Sequence, residues 1–213
     1  MKIQVEKKII LFIKILNDRN FVVLIMEEKI QFIESHKIDL TNVELKGRIL
    51  DIGGGGEGII GQLKGEQVVA IDRRESELKE AVPGDYLKII MDAKDLKFLD
   101  ETFDTTTAFF TLMYIPLSNH RKIFQEIYRV IKKGGEFVIW DFKIPKRDIS
   151  DKDFYGLYLE VKIEDKEIST GYATKWDKEQ DLEYYLKLGA SIGFKSVEKK
   201  EMDQMFYIRF QKV

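Results

Sequence analysis

The stretch Ile49–Leu63, I-L-D-I-G-G-G-G-E-G-I-I-G-Q-L, constrains the fold of this chain more than any other. Ile49, Leu50 and Ile52 read as the end of a buried parallel strand, and Gly53 to Gly58 as a turn into a helix. Glycine is needed where φ is positive or where backbone must lie close against a ligand. Gly53, Gly55 and Gly58 spell G-x-G-x-x-G, a loop suited to a nucleotide-like ligand lying across a helix N-terminus. One such pattern carries little weight alone. Its meaning depends on what the downstream chain adds.

Downstream, strand and helix alternate. Val68–Ile71 is a short apolar run of the kind buried on both faces of a sheet, and it ends in Asp72. Glu75–Val82 reads as a short helix closed by Pro83-Gly84, and Leu87–Met91 as a third strand followed by Asp92-Ala93. Phe103–Leu112 holds a fourth strand. Ser118 is placed to cap a helix reaching Lys133, with Gly134-Gly135 as its left-handed stop. Phe137–Trp140 is a fifth strand, ending in Asp141. Such alternation implies right-handed crossovers and a parallel sheet covered on both sides.

The rhythm then breaks. Tyr155, Leu157, Leu159, Val161 and Ile163 alternate with polar neighbours, and Ile168–Lys175 can return antiparallel, which predicts a hairpin inserted near 154–175. Asp177 is placed to cap a helix stopped by Gly193, and Lys195–Met202 and Met205–Val213 read as two final strands. Upstream, Glu27–His36 has a helical pattern, and residues 1–25 are too apolar to be left in water. The sequence therefore predicts one structural domain: an N-terminal helical and apolar flank over 1–48, and a main α/β body over 49–213. The apolar flank is also a candidate homodimer contact.

Composition excludes several functions. With no cysteine among 213 residues, thiolate metal sites, disulfides and a cysteine nucleophile are all ruled out. This fits a reducing cytoplasm. A net charge of −2 argues against a general nucleic-acid binder. No stretch reaches the length of a membrane-spanning helix, and the apolar run at Ile9–Leu16 is interrupted by Lys14. His36 and His120 are far apart in sequence and read as surface or capping residues, with no metal site.

In a wound α/β sheet, ligands bind outside the carboxyl ends of the strands, where strand order reverses. Asp51, Asp72, Asp92 and Asp141 all fall at or just after strand ends. Asp72 follows the glycine loop at about the 20-residue distance of a ribose-binding acid, and a carboxylate can accept both ribose hydroxyls. Dinucleotide and S-adenosylmethionine sites share these features, but their charge differs. A dinucleotide brings an anionic pyrophosphate to the helix N-terminus, where Glu57 stands. S-adenosylmethionine brings a sulfonium and an ammonium, which Asp51 and Glu57 tolerate or favour. Glu57 also suits the first turn of a helix.

From about Glu27 to its end the chain resembles the class I S-adenosylmethionine-dependent methyltransferases. The resemblance is carried in order by I-L-D-I-G-G-G-G-E-G, V-V-A-I-D-R-R, M-D-A-K-D-L, F-D-T-T-T-A-F-F-T-L-M-Y-I-P and Y-R-V-I-K-K-G-G-E-F-V-I-W-D. It implies a Rossmann-like three-layer sandwich: a mostly parallel seven-stranded sheet with a reversed last strand and helices on both faces. It further implies that Gly53 and Gly55 lie against the methionyl and ribose portions of S-adenosylmethionine. Asp51 would orient the ammonium and Asp72 would hold the ribose. Arg73 would flank the adenine, Asp92 and Ala93 would meet the adenine edge, and Phe109 or Phe110 would lie near the methionyl end. Two positions depart from the family pattern: Glu57, with the third glycine moved to Gly58, and Lys133 before Gly134-Gly135.

Methyl transfer from a sulfonium is an in-line displacement, so no general base is assigned. Tyr114, Asp141, Tyr158, Tyr172 and Trp176 are candidates to face the acceptor, and each has an ordinary packing alternative. The segment Thr111–Pro116 lacks the Asn-Pro-Pro-Tyr type used on base amines, which favours a small-molecule acceptor. The competing readings are an NAD(P)-dependent oxidoreductase and a non-catalytic cofactor-binding or interaction module.

Overall fold

The computed structural model describes residues 29–147 and 149–213. Instead of the single body expected, the chain forms two compact units. Among the described residues, one holds 29–43 together with 144–147 and 149–179; the other holds Glu44–Lys143 together with Gln180–Val213.

The first unit is a three-stranded sheet of β1 (Ile30–Asp39), β7 (Phe154–Ile163) and β8 (Lys166–Lys175), in the order β1-β7-β8. The predicted hairpin is present, its strands antiparallel from Phe154↔Lys175 to Ile163↔Lys166. The flank expected to be helical is instead a strand, parallel to β7 from Ile30↔Phe154 to Asp39↔Lys162 with a register shift between Ile33 and His36. The cause is tertiary: β7 presents a free edge to β1, and pairing outweighs a modest helical pattern. The apolar contact proposed for residues 1–25 lies outside the described residues.

The second unit is a seven-stranded sheet in the order β4-β3-β2-β5-β6-β10-β9. Its strands are β2 (Ile49–Ile52), β3 (Val68–Asp72), β4 (Leu87–Ile90), β5 (Phe103–Phe109), β6 (Ile131–Phe142), β9 (Phe194–Met202) and β10 (Met205–Lys212). Pairings from β4 to β6 are parallel, whereas β10 runs antiparallel to both β6 and β9. The last strand is the reversed one, as expected. Helices α1 (Ile59–Lys64), α2 (Glu75–Glu80), α3 (Leu117–Val130) and α4 (Leu182–Ile192) cover the sheet.

Side chains alternate across β2. Leu50 and Ile52 enter a core cluster with Ile123, Phe124 and Ile127 of α3 and Tyr185 of α4. Ile49 and Asp51 are sent to the other face. Strand order reverses around β2, which has β3 on one side and β5 on the other. The carboxyl end of β2 is therefore the place where the fold can hold a ligand.

Helix boundaries differ from expectation in two places. Helix α3 is preceded by Pro116, without a side-chain cap from Ser118, and it ends at Val130. Gly134-Gly135 does not stop the helix, because strand β6 has already begun at Ile131. The pair absorbs a shift in register between Phe103↔Ile131 and Thr105↔Glu136. Gly134 has φ +77°, and a β-carbon on Gly135 would lie 2.7 Å from the Asp104 carbonyl oxygen. Helix α4 is capped by Asp181 and not by Asp177: Tyr184 N–H donates to Asp181 Oδ1 at 2.7 Å. Gly193 stops it in the left-handed region, as expected.

Candidate active site

The glycine loop leaves β2 at Gly53, which has φ +70° and packs directly against Thr111 at the end of the neighbouring strand. Any β-carbon there would overlap the Thr111 side chain. Gly54 N–H donates to Ile71 O of β3 at 3.0 Å and Gly56 N–H to Glu77 O of α2 at 2.9 Å, so the loop is fastened to the next strand and helix. Gly55 abuts Glu77. Gly58, in the left-handed conformation, is the N-cap of α1. Glu57 thus precedes that helix and does not occupy its first turn.

Asp51 is only 2% exposed and lies directly beneath the loop: a β-carbon on Gly54 would be 2.5 Å from Asp51 Oδ2. Thr107 Oγ1 donates to Asp51 Oδ1 at 2.7 Å. Burial pushes the carboxyl pKa up to about 7, the Thr107 bond opposing this and the nearby Asp72 charge adding to it. Asp72, at the tip of β3, is half-buried. Its Oδ1 accepts the Arg74 N–H at 2.8 Å, and its other oxygen has no hydrogen bond or ion pair among the described residues. This suits acceptance of hydroxyl donors. Arg73 is exposed.

Beside it, Met91 N–H donates to Asp72 O at 3.0 Å and holds the tip of β4 to the tip of β3. Asp92 is exposed just beyond. It accepts the Lys94 N–H on Oδ1 at 2.9 Å, and Ala93 packs against the core cluster. On the other side, Phe109 and Phe110 end β5. Phe109 is 7% exposed and packs edge-on against Phe110, their centroids 5.0 Å apart. Phe110, 1% exposed, has φ +46°, an unusual conformation for a bulky residue. Its ring is core, stacked toward Phe142, while its N–H donates to Trp140 O at 2.8 Å. At this position the chain turns so that Thr111 meets Gly53.

Asp141 is not an open acid. It is fully buried and accepts from Met113 N–H at 3.1 Å, Phe142 N–H at 2.8 Å and Gln180 Nε2 at 3.1 Å. His120, expected at the surface, is also fully buried. Its Nε2 lies 3.1 Å from Leu112 O and 3.0 Å from Ile115 O. The cause is local: an imidazole on the inward face of α3 donates to the Ile115 carbonyl and to the Leu112 carbonyl, which already accepts the Ile115 N–H within the turn. Tyr158, Tyr172 and Trp176 belong to the first unit. There Tyr158 stacks on Phe32 at 4.5 Å, and the Trp176 indole N–H donates to Pro145 O at 2.8 Å.

Four residues had not been singled out. Thr107 bonds Asp51, Thr111 faces Gly53, Gln180 bonds Asp141, and Glu77 is a buried carboxylate paired with Arg74 at 3.2 Å. Burial raises the Glu77 pKa, with Arg74 opposing. For Thr107 the available signal was three consecutive threonines in an otherwise apolar strand: buried hydroxyls favour partners, which Thr105 and Thr107 have and Thr106 lacks among the described residues.

Asp51, Asp72, Glu57 and Glu77 are close enough for their charges to bear on one another, and they surround the glycine loop. A pyrophosphate placed there would meet acids at short range, whereas a cationic ligand would be attracted. The donor set fits an adenosyl sulfonium and disfavours a dinucleotide.

Comparison with known proteins agrees. A family model described as a methyltransferase domain matches residues 50–139. The chain is 30% identical over 141 residues to a sterol 4-C-methyltransferase of Caenorhabditis elegans, an alignment covering 61% of this chain and 42% of that protein. It is 29% identical over 189 residues to a ubiquinone/menaquinone biosynthesis C-methyltransferase of Hydrogenovibrio crunogenus, covering 79% and 74%. A crystal structure of an S-adenosylmethionine-dependent methyltransferase from Methanosarcina mazei has the same fold, with a TM-score of 0.60 at 17% identity over 80% of this chain and 94% of that one. Residues 50–139 thus carry a methyltransferase-domain pattern, and most of the chain is similar to proteins named as methyltransferases. The chain spans less than half of the nematode relative's length.

Proposed function

We propose that this chain is an S-adenosylmethionine-dependent methyltransferase acting on a small-molecule acceptor. The observation that carries the reading is the set of carboxylates around a glycine loop at the strand-order reversal. Asp72 supports the ribose role through its open oxygen, and Asp92 with the Ala93 backbone stands where an adenine edge would lie. Arg73 flanks that end. Gly53 and Gly55 let the donor approach the backbone closely, and Asp51 orients its ammonium from below. Phe109 or Phe110 closes the methionyl side.

Bound, S-adenosylmethionine supplies a methyl group on a sulfonium, already activated for in-line displacement. The protein's task is then alignment, an effect that can contribute up to about 7–11 kcal/mol. A small-molecule acceptor is favoured by the relatives, whose names specify a sterol and ubiquinone/menaquinone biosynthesis. No helix among the described residues is long and apolar enough to cross a membrane. We place the protein in the cytoplasm, in keeping with its lack of cysteine. Its net charge of −2 supports no general nucleic-acid role, and the apolar N-terminal segment is a candidate homodimer contact.

Thermal melts of the full chain with S-adenosylmethionine, S-adenosylhomocysteine or NADH test the reading. A ligand at 100 times its Kd stabilises by about 2.7 kcal/mol. The first two ligands are expected to raise the melting temperature and NADH to leave it unchanged. A shift with NADH alone would reject the assignment.

A further inference from the structure

The turn that follows β5 is held more firmly than a surface turn requires. Leu112–Tyr114 forms one 3-10 turn, with Leu112 and Met113 fully buried and Tyr114 42% exposed. On one side Met113 N–H is bound by Asp141, and Gln180 Nε2 donates to Asp141 Oδ1 at 3.1 Å and Phe142 O at 3.0 Å. Tyr185 O–H donates to Gln180 Oε1 at 3.0 Å, and the Tyr185 ring stacks on His120 with centroids 5.6 Å apart. On the other side His120 Nε2 reaches the carbonyls of Leu112 and Ile115. Carbonyls only accept, so Nε2 carries the proton, and Nδ1 faces the Tyr184 hydroxyl at 3.0 Å. Asp141, Gln180, Tyr185 and His120 are each at most 2% exposed. Four buried polar side chains from β6, α3, α4 and the segment before α4 thus converge on one turn, whose single outward side chain is Tyr114.

The ligand's course explains why that turn should be fixed. With the adenine at the tip of β4 and the ribose at Asp72 on β3, the rest of the donor must run across β2 toward β5. Adjacent strands are about 4.8 Å apart, so β5 lies roughly 10 Å from the ribose strand. The turn carrying Tyr114 begins at Thr111, which touches Gly53. Desolvation and the charges of Glu57, Asp141 and Glu77 act to hold the Tyr114 phenol above its ordinary pKa, with Arg74 opposing. The group stays neutral in an acidic surround, which suits contact with a cation.

We propose that Tyr114 meets the sulfonium end of S-adenosylmethionine, and that Asp141, Gln180, Tyr185 and His120 are positioning residues that hold its turn. The proposal rests on the donor assignment above and deepens it. S-adenosylmethionine and S-adenosylhomocysteine differ by the methyl group and its positive charge, so their affinity ratio reads this contact without any acceptor.

Calorimetry on the full chain is the test. Tyr114→Leu is expected to weaken S-adenosylmethionine about tenfold while leaving S-adenosylhomocysteine nearly unchanged, with Tyr114→Phe in between. His120→Phe should reproduce the loss, and His120→Gln, whose amide can donate to the same carbonyls, should restore most of the ratio. Gln180→Leu provides the same comparison should His120→Phe fail to fold. Equal losses for both ligands, or none, in Tyr114→Leu would overturn the contact. An unchanged ratio in the folded network variants would overturn the positioning role. A wild-type chain that binds neither ligand would overturn the donor assignment itself, an outcome distinct from both.

Discussion

Asp51, Asp72, Asp92 and Asp141 stand at the carboxyl ends of parallel strands in the second unit, and the fold divides them into two kinds. Asp72 and Asp92, at the tips of β3 and β4, reach solvent; each uses one carboxylate oxygen for a local turn, and the other oxygen of Asp92 pairs with Lys94 Nζ at 3.5 Å. Asp51 and Asp141, at β2 and β6, are 2% and 0% exposed and bond to neighbouring elements. Identical side chains at equivalent strand positions therefore do different things. The exposed pair is available to a ligand. Of the buried pair, Asp141 is tied into the framework, and Asp51 lies between the two roles, buried but directly under the loop.

This contrast can be broken most forcefully at Asp141. Asp141→Ala leaves Met113 N–H, Phe142 N–H and the Gln180 amide without their acceptor, and is expected to cost about 5 kcal/mol of stability in urea unfolding. A loss below about 1 kcal/mol would show that the network is not structural.

Next is the pH dependence contributed by Asp51. Unfolded, its carboxyl titrates near the ordinary 3.8; folded, near 7. Between these values the native state holds a proton that the unfolded state has released, so this contribution falls as pH rises from about 4 to about 7 and then levels off. The total is roughly 4 kcal/mol at most. Asp51→Asn lacks the titrating group, so its stability should decline less than wild type across that window. Parallel curves would sink the idea.

On the exposed side the effect moves from stability to binding. Asp72→Ala should weaken S-adenosylmethionine about 10- to 100-fold, the worth of hydrogen bonds to a charged group. Its unfolding midpoint should barely change. An unaltered calorimetric affinity would remove Asp72 from the ribose role. The smallest effect belongs to Thr107→Val, which deletes the bond that holds the Asp51 pKa down. The stability decline should then extend to higher pH, with a further loss of about 1 kcal/mol; an unmoved pH profile would deny that bond its influence.

Much of the second unit was legible because its strands are short apolar runs closed by glycine or aspartate, and local patterns of that kind survive folding. Lost were the features set by distant partners. Ile30–Asp39 became a strand because β7 offers an edge to it. Gly134-Gly135 absorbs a register shift because β6 starts early against β5. His120 is buried because a turn around residue 112 leaves carbonyls facing α3. Glu77, Thr111 and Gln180 carry no motif, and only the approach of other elements places the first two beside the glycine loop and the third against Asp141.

By itself the sequence determined the α/β alternation, the glycine loop and the acids at the strand ends, all of which depend on residues close together in the chain; the reversed final strand came from the family resemblance. Tertiary structure alone decided which carboxylates are sealed and which remain open, and which of two adjacent phenylalanines turns the backbone toward Gly53. It also decided that the hairpin forms a sheet with β1. The physical reason is that solvation and hydrogen-bond partners are properties of the space around a side chain, and elements distant in the chain create most of that space.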